Sequence, residues 1–159
     1  MSLATLASTA DLSAAAHDVR SGLAAGTPVL TLAGPVVVER LAAGDRIVTR
    51  DGVRRLAGVQ RVDAAVRLVR VSESAIGVDQ PEADMLMTAD MQILIRDWRA
   101  KALRGCDQAV IAADRLIDGE YIRREPEARA VLFQLEFDAP VVIYAGGLEL
   151  ALTPAPASA

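Results

Sequence analysis

The chain has 159 residues, enough for one domain. Hydrophobic residues make up 52% of it but aromatic residues only 3%, so its core must be aliphatic and few rings remain to stack on nucleotide bases. The 17 Lys and Arg residues against 21 Asp and Glu give a net charge of −4, which disfavours binding to nucleic acid or to anionic lipid. A single cysteine, Cys106, and a single histidine, His17, exclude an internal disulfide and leave too few ligands for zinc, so neither a metal nor a cofactor is expected.

The N-terminal segment is rich in alanine and serine and predicts an arm or a short helix, with Asp11 as its N-cap. It has no basic region followed by a long apolar run, so neither a secretory signal nor a membrane span is expected. A soluble protein is therefore predicted. Its compartment stays open, because both the cytoplasm and secretion without such a signal fit the sequence.

From residue 27 onward, short β-branched runs alternate with turn residues, which predicts antiparallel strands. Turn chemistry occurs at Ala33-Gly34-Pro35, at Gly44-Asp45 and at Asp51-Gly52. A Pro-started strand is expected from residue 28, and others at 47–49, 56–62, 66–71, 85–88, 92–96, 131–137 and 141–144. One short helix is expected over 111–119, ended by its glycine, and a Pro/Ala tail follows residue 150.

Four separated blocks follow one another in the order LAAGTPVLTLAGPVVVERLAAGDRIVTRDG, MLMTADMQILIRDWRAKAL, AVIAADRLIDGEYIRRE and VLFQLEFDAPVVIYAGGLEL. Their order and spacing resemble the bacterial Hint domains of the Hedgehog and intein superfamily. The resemblance implies an all-β, Hint-type horseshoe of short antiparallel strands in two pseudo-symmetric halves. The predicted organisation is an arm or short helix at 1–21, a Hint-like β domain at 22–150 and a disordered tail at 151–159.

The resemblance also implies a chemistry. In such domains a cysteine or serine at the start of the domain attacks the preceding carbonyl, and a T-x-x-H block polarises the amide and protonates its nitrogen. Here the nucleophile aligns with Gly22, the threonine of the block with Thr88 and its histidine with Met91. Glycine has no side chain with which to attack, and a thioether carries no transferable proton.

A third polar feature of the family is also replaced. Gln134 and Pro140 stand in the late block where close relatives lead us to expect histidine, so Thr88, Asp90 and Asp138 are the polar residues that remain. The sequence therefore predicts a catalytically inactive Hint-like domain, structural or protein-binding. The expected partner, if the domain binds one, is another protein.

Two enzymatic alternatives stay open. In the first, the hydroxyl of Ser21 attacks the carbonyl of Arg20, with Thr88 and Asp90 assisting, so that residual self-cleavage persists. In the second, Asp90 and Asp138 act as paired carboxylates in unrelated chemistry, which requires them to lie within about 5 to 10 Å of each other.

The methionines at alternate positions, Met85, Met87 and Met91, are predicted to line one strand face as core, forming an apolar plug where the site would be. Trp98 is expected to cover the edge of the core, with a partner surface as the alternative.

The other residues that could carry chemistry have simpler interpretations. Cys106 is expected to be a half-exposed structural cysteine, and His17 a solvated helical residue. The basic segment 50–55 is expected to form a hairpin turn with solvated charges, with an acid-binding patch as the alternative.

Overall fold

Short antiparallel strands make up most of the computed structural model, which describes residues 19–154. The strands are β1 (Gly22–Ala24), β2 (Pro28–Thr31), β3 (Gly34–Val37), β4 (Arg46–Thr49), β5 (Gly52–Arg55), β6 (Gly58–Val66), β7 (Val69–Val71), β8 (Met85–Met87), β9 (Gln92–Ile95), β10 (Ala109–Ala112), β11 (Ile122–Arg124), β12 (Ala128–Glu136), β13 (Val141–Ala145) and β14 (Leu148–Leu152). The described residues contain one α-helix, α1 (Trp98–Arg104), and two 3-10 turns, Val38–Arg40 and Ala113–Leu116.

The strands form two sheets. The first has six strands in the order β11-β7-β8-β1-β12-β6, so the three-residue β1 lies between β8 and β12 near its middle. The second has eight strands along the path β10-β9-β14-β13-β2-β4-β5, with β3 paired to β2. Every ladder in both sheets is antiparallel, and the predicted all-β fold of short antiparallel strands is confirmed.

Both sheets contribute to one aliphatic core. Burial alternates along β13 and β14 with the period of two that a strand requires, so one face of each packs inward. Fully buried members of this core include Leu23, Ile47, Met87, Ile93, Ile122, Ile143 and Leu150. A smaller cluster lies on the opposite face of β12 around Leu132, and Val19 packs against it.

Two hairpins of the second sheet are closed in the same way. The hydroxyl of Thr31 donates to the carbonyl of Gly34 at 2.7 Å, and that of Thr49 donates to the carbonyl of Gly52 at 2.6 Å. The turns therefore occupy residues 32–33 and 50–51, one residue earlier than predicted. Gly34 and Gly52 open the returning strands with φ values of 105° and 103°, which favour glycine.

The prediction of a helix over 111–119 is wrong. Residues 109–112 pair with β9 as β10, and the 3-10 turn Ala113–Leu116 follows. Pairing with β9 buries Ile111, and this tertiary contact outweighs a helical pattern of only two turns. The helix is α1 instead, with Asp97 as its N-cap and Gly105, at a φ of 71°, at its end.

Trp98 does not cover the core. It lies on α1 with 70% of its surface exposed, because Ala100 is the residue of that helix that faces inward. The guanidinium carbon of Arg99 lies 4.9 Å from the centre of the indole ring.

Several strands differ from the predicted ones. The strands β1, β5, β10, β11 and β14 were not predicted, and the expected run 66–71 is interrupted between β6 and β7. Only residues 50–51 of the basic segment form a turn, and the rest is β5.

At the C-terminal end, β14 includes residues 151 and 152 of the predicted tail. Residues 155–159 lie outside the described residues, as do residues 1–18 with Asp11 and His17. No described helix is long and apolar enough to span a membrane.

Candidate functional site

The start of β1 is bound to the turn that follows β8. The N–H of Gly22 donates to Oγ1 of Thr88 at 3.0 Å, and the N–H of Thr88 donates back to the carbonyl of Gly22 at 3.0 Å. On the other side, Gly22 lies opposite Gln134 of β12. The structure thus brings together Gly22, Thr88 and Gln134, which are far apart in the sequence.

The carboxylate of Asp90 completes this arrangement. Both of its oxygens lie 3.1 Å from the N–H of Ser21, and Oδ1 also accepts the hydroxyl proton of Thr88 at 2.6 Å. Ser21 itself has a φ of 50°, a left-handed conformation that is unfavourable for a residue with a side chain. The side-chain amide of Gln92 donates to the carbonyl of Asp90 at 3.0 Å and fixes the turn.

Gln134 takes part in the site, a role that its place in the sequence did not predict. Its Nε2 donates to the carbonyl of Arg20 at 2.8 Å, so the peptide between Arg20 and Ser21 is bound at its oxygen by Gln134 and at its nitrogen by Asp90. The sequence shows only that a histidine expected here is absent. The signal that identifies Gln134 is its register opposite Gly22, which arises from strand pairing distant in the chain.

The space in which a side chain at position 22 would lie is narrow. A Cβ atom built on Gly22 would lie 3.1 Å from Cγ2 of Thr88, 3.1 Å from Cγ1 of Val19 and 3.5 Å from Cβ of Leu132. The first two distances are shorter than ordinary van der Waals contact, so any larger residue at this position requires its neighbours to move.

Met91 is fully buried in the main core. Its N–H donates to the carbonyl of Thr88 at 3.1 Å, and its carbonyl accepts from the N–H of Ala113 at 2.8 Å. The prediction that Met85, Met87 and Met91 belong to the core is confirmed, but they do not share one strand, because β8 ends at Met87 and Met91 precedes β9. The atoms nearest the empty side-chain position at Gly22 come from Thr88, Val19 and Leu132 rather than from a methionine.

An open cleft of about 600 Å³ adjoins the bound peptide. Its lining includes three residues of the site, Arg20, Thr88 and Asp90. It also includes Arg67 and Glu127, which carry opposite charges. The cleft therefore brings both charge signs beside the peptide that precedes β1.

The remaining candidates lie elsewhere. Asp138 is exposed between β12 and β13, lines no part of the cleft and takes part in no hydrogen bond or ion pair of the described residues. Cys106 is exposed, with its Sγ 3.4 Å from the carbonyl of Arg104. Within residues 19–154, no group of three His, Cys, Asp or Glu side chains is arranged to hold a metal ion.

Several solved structures share this architecture. A bacterial intein-like domain from Clostridium thermocellum aligns with a TM-score of 0.57 at 14% identity, over 85% of this chain and 99% of that one. The MchDnaB-1 intein aligns with a TM-score of 0.53 at 18% identity, over 81% of this chain and 98% of that one. The gp41-1 intein aligns with a TM-score of 0.52 at 10% identity, over 83% of this chain and 98% of that one. At such identities, these likenesses show the fold alone.

No curated protein sequence matches the chain significantly. The family profile described as the Hint domain, however, matches residues 21–151, which is most of the chain and covers the site around Gly22. The chain belongs to the Hint domain family.

Proposed function

We propose that this Hint domain does not process its own chain and acts as a structural or protein-binding module. The observation that carries the proposal is the narrow space at Gly22. The position that the family resemblance assigns to the nucleophile has no side chain, and Val19 and Thr88 approach to within 3.1 Å of where one would begin. Without an attacking atom the covalent route is lost altogether.

The polar residues around the site also work against proton donation. Breaking the peptide requires a proton on its nitrogen, and removing such a general acid costs about a hundred- to ten-thousandfold in rate. The thioether of Met91 is buried in the core, and the proton of the Thr88 hydroxyl is directed to Asp90. Asp90 in turn accepts the N–H of Ser21. None of these three side chains offers a proton to a peptide nitrogen, because Met91 carries none, Thr88 directs its own to Asp90, and Asp90 acts as an acceptor.

The same contacts hold the segment before β1 in place. Gln134 binds the carbonyl of Arg20 and Asp90 binds the N–H of Ser21, so this peptide is fixed at both ends. The hydrogen bond to the carboxylate of Asp90 contributes about 1.5 to 3 kcal/mol, and the neutral one from Gln134 about 0.5 to 1.5 kcal/mol. Two positions to which the family resemblance assigns chemistry thus hold this segment in place.

The experiment is a mass measurement on the purified full-length protein after prolonged incubation, with and without added thiol and hydroxylamine. The mass should remain that of the intact chain under every condition. The same should hold for a Gly22→Cys and Met91→His double variant, in which the crowded Cβ position at residue 22 opposes the geometry of attack. Fragments of the wild-type protein split before Ser21 or Gly22 would overturn the proposal.

A second candidate function is self-cleavage through Ser21, and one observation favours it. The carbonyl of Arg20, which the Ser21 hydroxyl would attack, is polarised by Nε2 of Gln134 at 2.8 Å. In this reaction the C–N bond between Arg20 and Ser21 breaks, an ester forms on Oγ of Ser21, and the nitrogen takes the hydroxyl proton. Hydroxylamine would then release a fragment ending at Arg20. Ser21→Ala would abolish its release and Gln134→Leu would slow it.

A further inference from the structure

The outer edge of β5 ends the second sheet without a partner strand in the described part of the chain. β5 pairs only with β4, and all four of its residues are exposed. Val53, with 44% of its surface exposed, is an apolar residue in the middle of this edge. Such an edge presents main-chain donors and acceptors to any strand that reaches it.

The hydrogen bonds at the end of the hairpin show which groups face outward. The N–H of Leu56 donates to the carbonyl of Asp45 at 2.8 Å, and the carbonyl of Leu56 accepts from the N–H of Gly44 at 2.7 Å. Main-chain groups of an antiparallel strand alternate between its two sides. The N–H and C=O groups of Val53 and Arg55 are therefore directed away from β4, toward the free edge.

The hairpin of β4 and β5 also concentrates positive charge. Its four arginines, Arg46, Arg50, Arg54 and Arg55, form no ion pair with any carboxylate of the described residues. Arg46 lies directly opposite Arg55 in the ladder, and like charges in this position destabilise a strand pair.

Few carboxylates lie near these arginines in the sequence. The acidic residues of segment 45–55 are Asp45 and Asp51, and Asp45 already accepts the N–H of Ala42 at 2.9 Å. The hairpin therefore keeps a charge arrangement that costs stability and that an anionic partner would relieve.

We propose that the free edge of β5 binds an acidic, extended segment of a partner protein, which adds to the second sheet as a further strand. Main-chain hydrogen bonds to Val53 and Arg55 would give affinity, and carboxylates opposite the arginines would give specificity. A second copy of this chain is a poor occupant, because it would bring the same arginines to the interface. Residues 1–18 and 155–159 contain two acidic side chains, Asp11 and Asp18, too few for an acidic strand.

The test uses the full-length protein and fluorescently labelled peptides in which glutamate and valine alternate. A lysine–valine peptide of the same length is the charge control. A glutamate–valine peptide N-methylated at every peptide nitrogen keeps the charge but cannot donate main-chain hydrogen bonds. The glutamate–valine peptide should bind with an affinity that falls with added salt, and both controls should bind about tenfold or more weakly.

Protein variants locate the site. The Arg54→Glu and Arg55→Glu double variant should lose binding by about tenfold or more. It should also remain folded, since Glu at position 55 would face Arg46 as an opposite charge. Arg61→Glu, at an exposed position of the edge strand β6 of the first sheet, is the control and should bind as the wild type does.

The proposal fails if the N-methylated peptide binds as well as its parent, if the double variant binds normally, or if Arg61→Glu weakens binding equally. It also fails if single-stranded DNA is preferred to the peptide. These outcomes are separate from self-processing, because the site at Gly22 lies in the other sheet and is tested by mass.

Discussion

Asp90 is the acceptor on which the residues around Gly22 converge. Its carboxylate receives the N–H of Ser21 and the hydroxyl of Thr88, while its main chain is fixed by Gln92. A residue of this kind contributes to stability whether or not it takes part in chemistry. Its loss leaves a donor of the bound segment without a partner.

We expect Asp90→Ala to lower the free energy of unfolding by about 2 kcal/mol, because hydrogen bonds to a charged acceptor are lost. Asp90→Asn should cost less, since the amide oxygen still accepts one hydrogen bond. Urea denaturation followed by circular dichroism measures both changes. Asp138→Ala, which removes an exposed carboxylate that makes no hydrogen bond within residues 19–154, is the control and should leave stability within about 0.5 kcal/mol. Equal effects of the Asp90 and Asp138 variants would contradict this role.

Gly22 and Val19 are expected to be energetically coupled. Gly22→Ala places a methyl group 3.1 Å from Cγ1 of Val19 and should cost about 1 to 3 kcal/mol. In a Val19→Ala background this steric cost should fall, so a double-mutant cycle should show a coupling of about 1 kcal/mol. Denaturation of the four proteins measures it. Strictly additive effects would mean that the space at Gly22 is not closed by Val19.

At the scale of elements, Asp118 organises the loop that leads into β11. Its Oδ1 accepts the N–H groups of Glu120, Tyr121 and Ile122 at 2.8 to 2.9 Å. Desolvation by itself raises the pKa of this carboxyl, but these three hydrogen bonds, together with the charge of Arg99, lower the pKa below its ordinary value. The loop is therefore held by an ionised side chain.

This shift predicts a pH dependence of stability. A carboxyl whose pKa is lower in the folded state stabilises the fold above its unfolded pKa of about 3.9, and the contribution is lost as pH falls through the folded value. Asp118→Asn should remove this part of the acid dependence and lower stability at neutral pH by about 1 kcal/mol, as for other capping carboxylates. Thermal unfolding of both proteins across the acid range checks it. Parallel pH profiles would contradict it.

The elements also show what local sequence can and cannot predict. The alternation of apolar and polar residues, together with the turn residues, predicted six strands to within a few residues: β2, β4, β8, β9, β12 and β13. Segment 111–119 carried a helix-like pattern, but its apolar residues serve a strand and a 3-10 turn. The helix α1 was missed even though Asp97 and Gly105 are ordinary signals for its two ends.

The short strands β1 and β5, of three and four residues, exist because a neighbouring strand pairs with them. No local pattern marks these two strands. The site illustrates the same limit, since Thr88 and Asp90 were found from a motif but Gln134 acquires its role only through the register of β12 against β1.

At the scale of the whole molecule, the two sheets share one continuous core and should unfold together. Leu23 of the first sheet and Ile143 of the second are each no more than 1% exposed and belong to the same cluster. The protein should unfold in a single transition, and Leu23→Ala and Ile143→Ala should each lower its free energy of unfolding by about 2 to 5 kcal/mol. Circular dichroism and amide hydrogen exchange should report the same change for both sheets. Two separate transitions would show that the sheets are independent units.

The central position of β1 has a practical consequence for handling the protein. Because β1 lies between β8 and β12, the chain enters the first sheet near its middle, and Val19 and Arg20 already line the cleft there. Whatever precedes Val19 joins the described chain at the edge of that cleft, so an upstream affinity tag or fusion can hinder access to it. A carboxyl-terminal tag instead leaves from β14 in the second sheet, so reagents aimed at the cleft should be compared on protein tagged at that end.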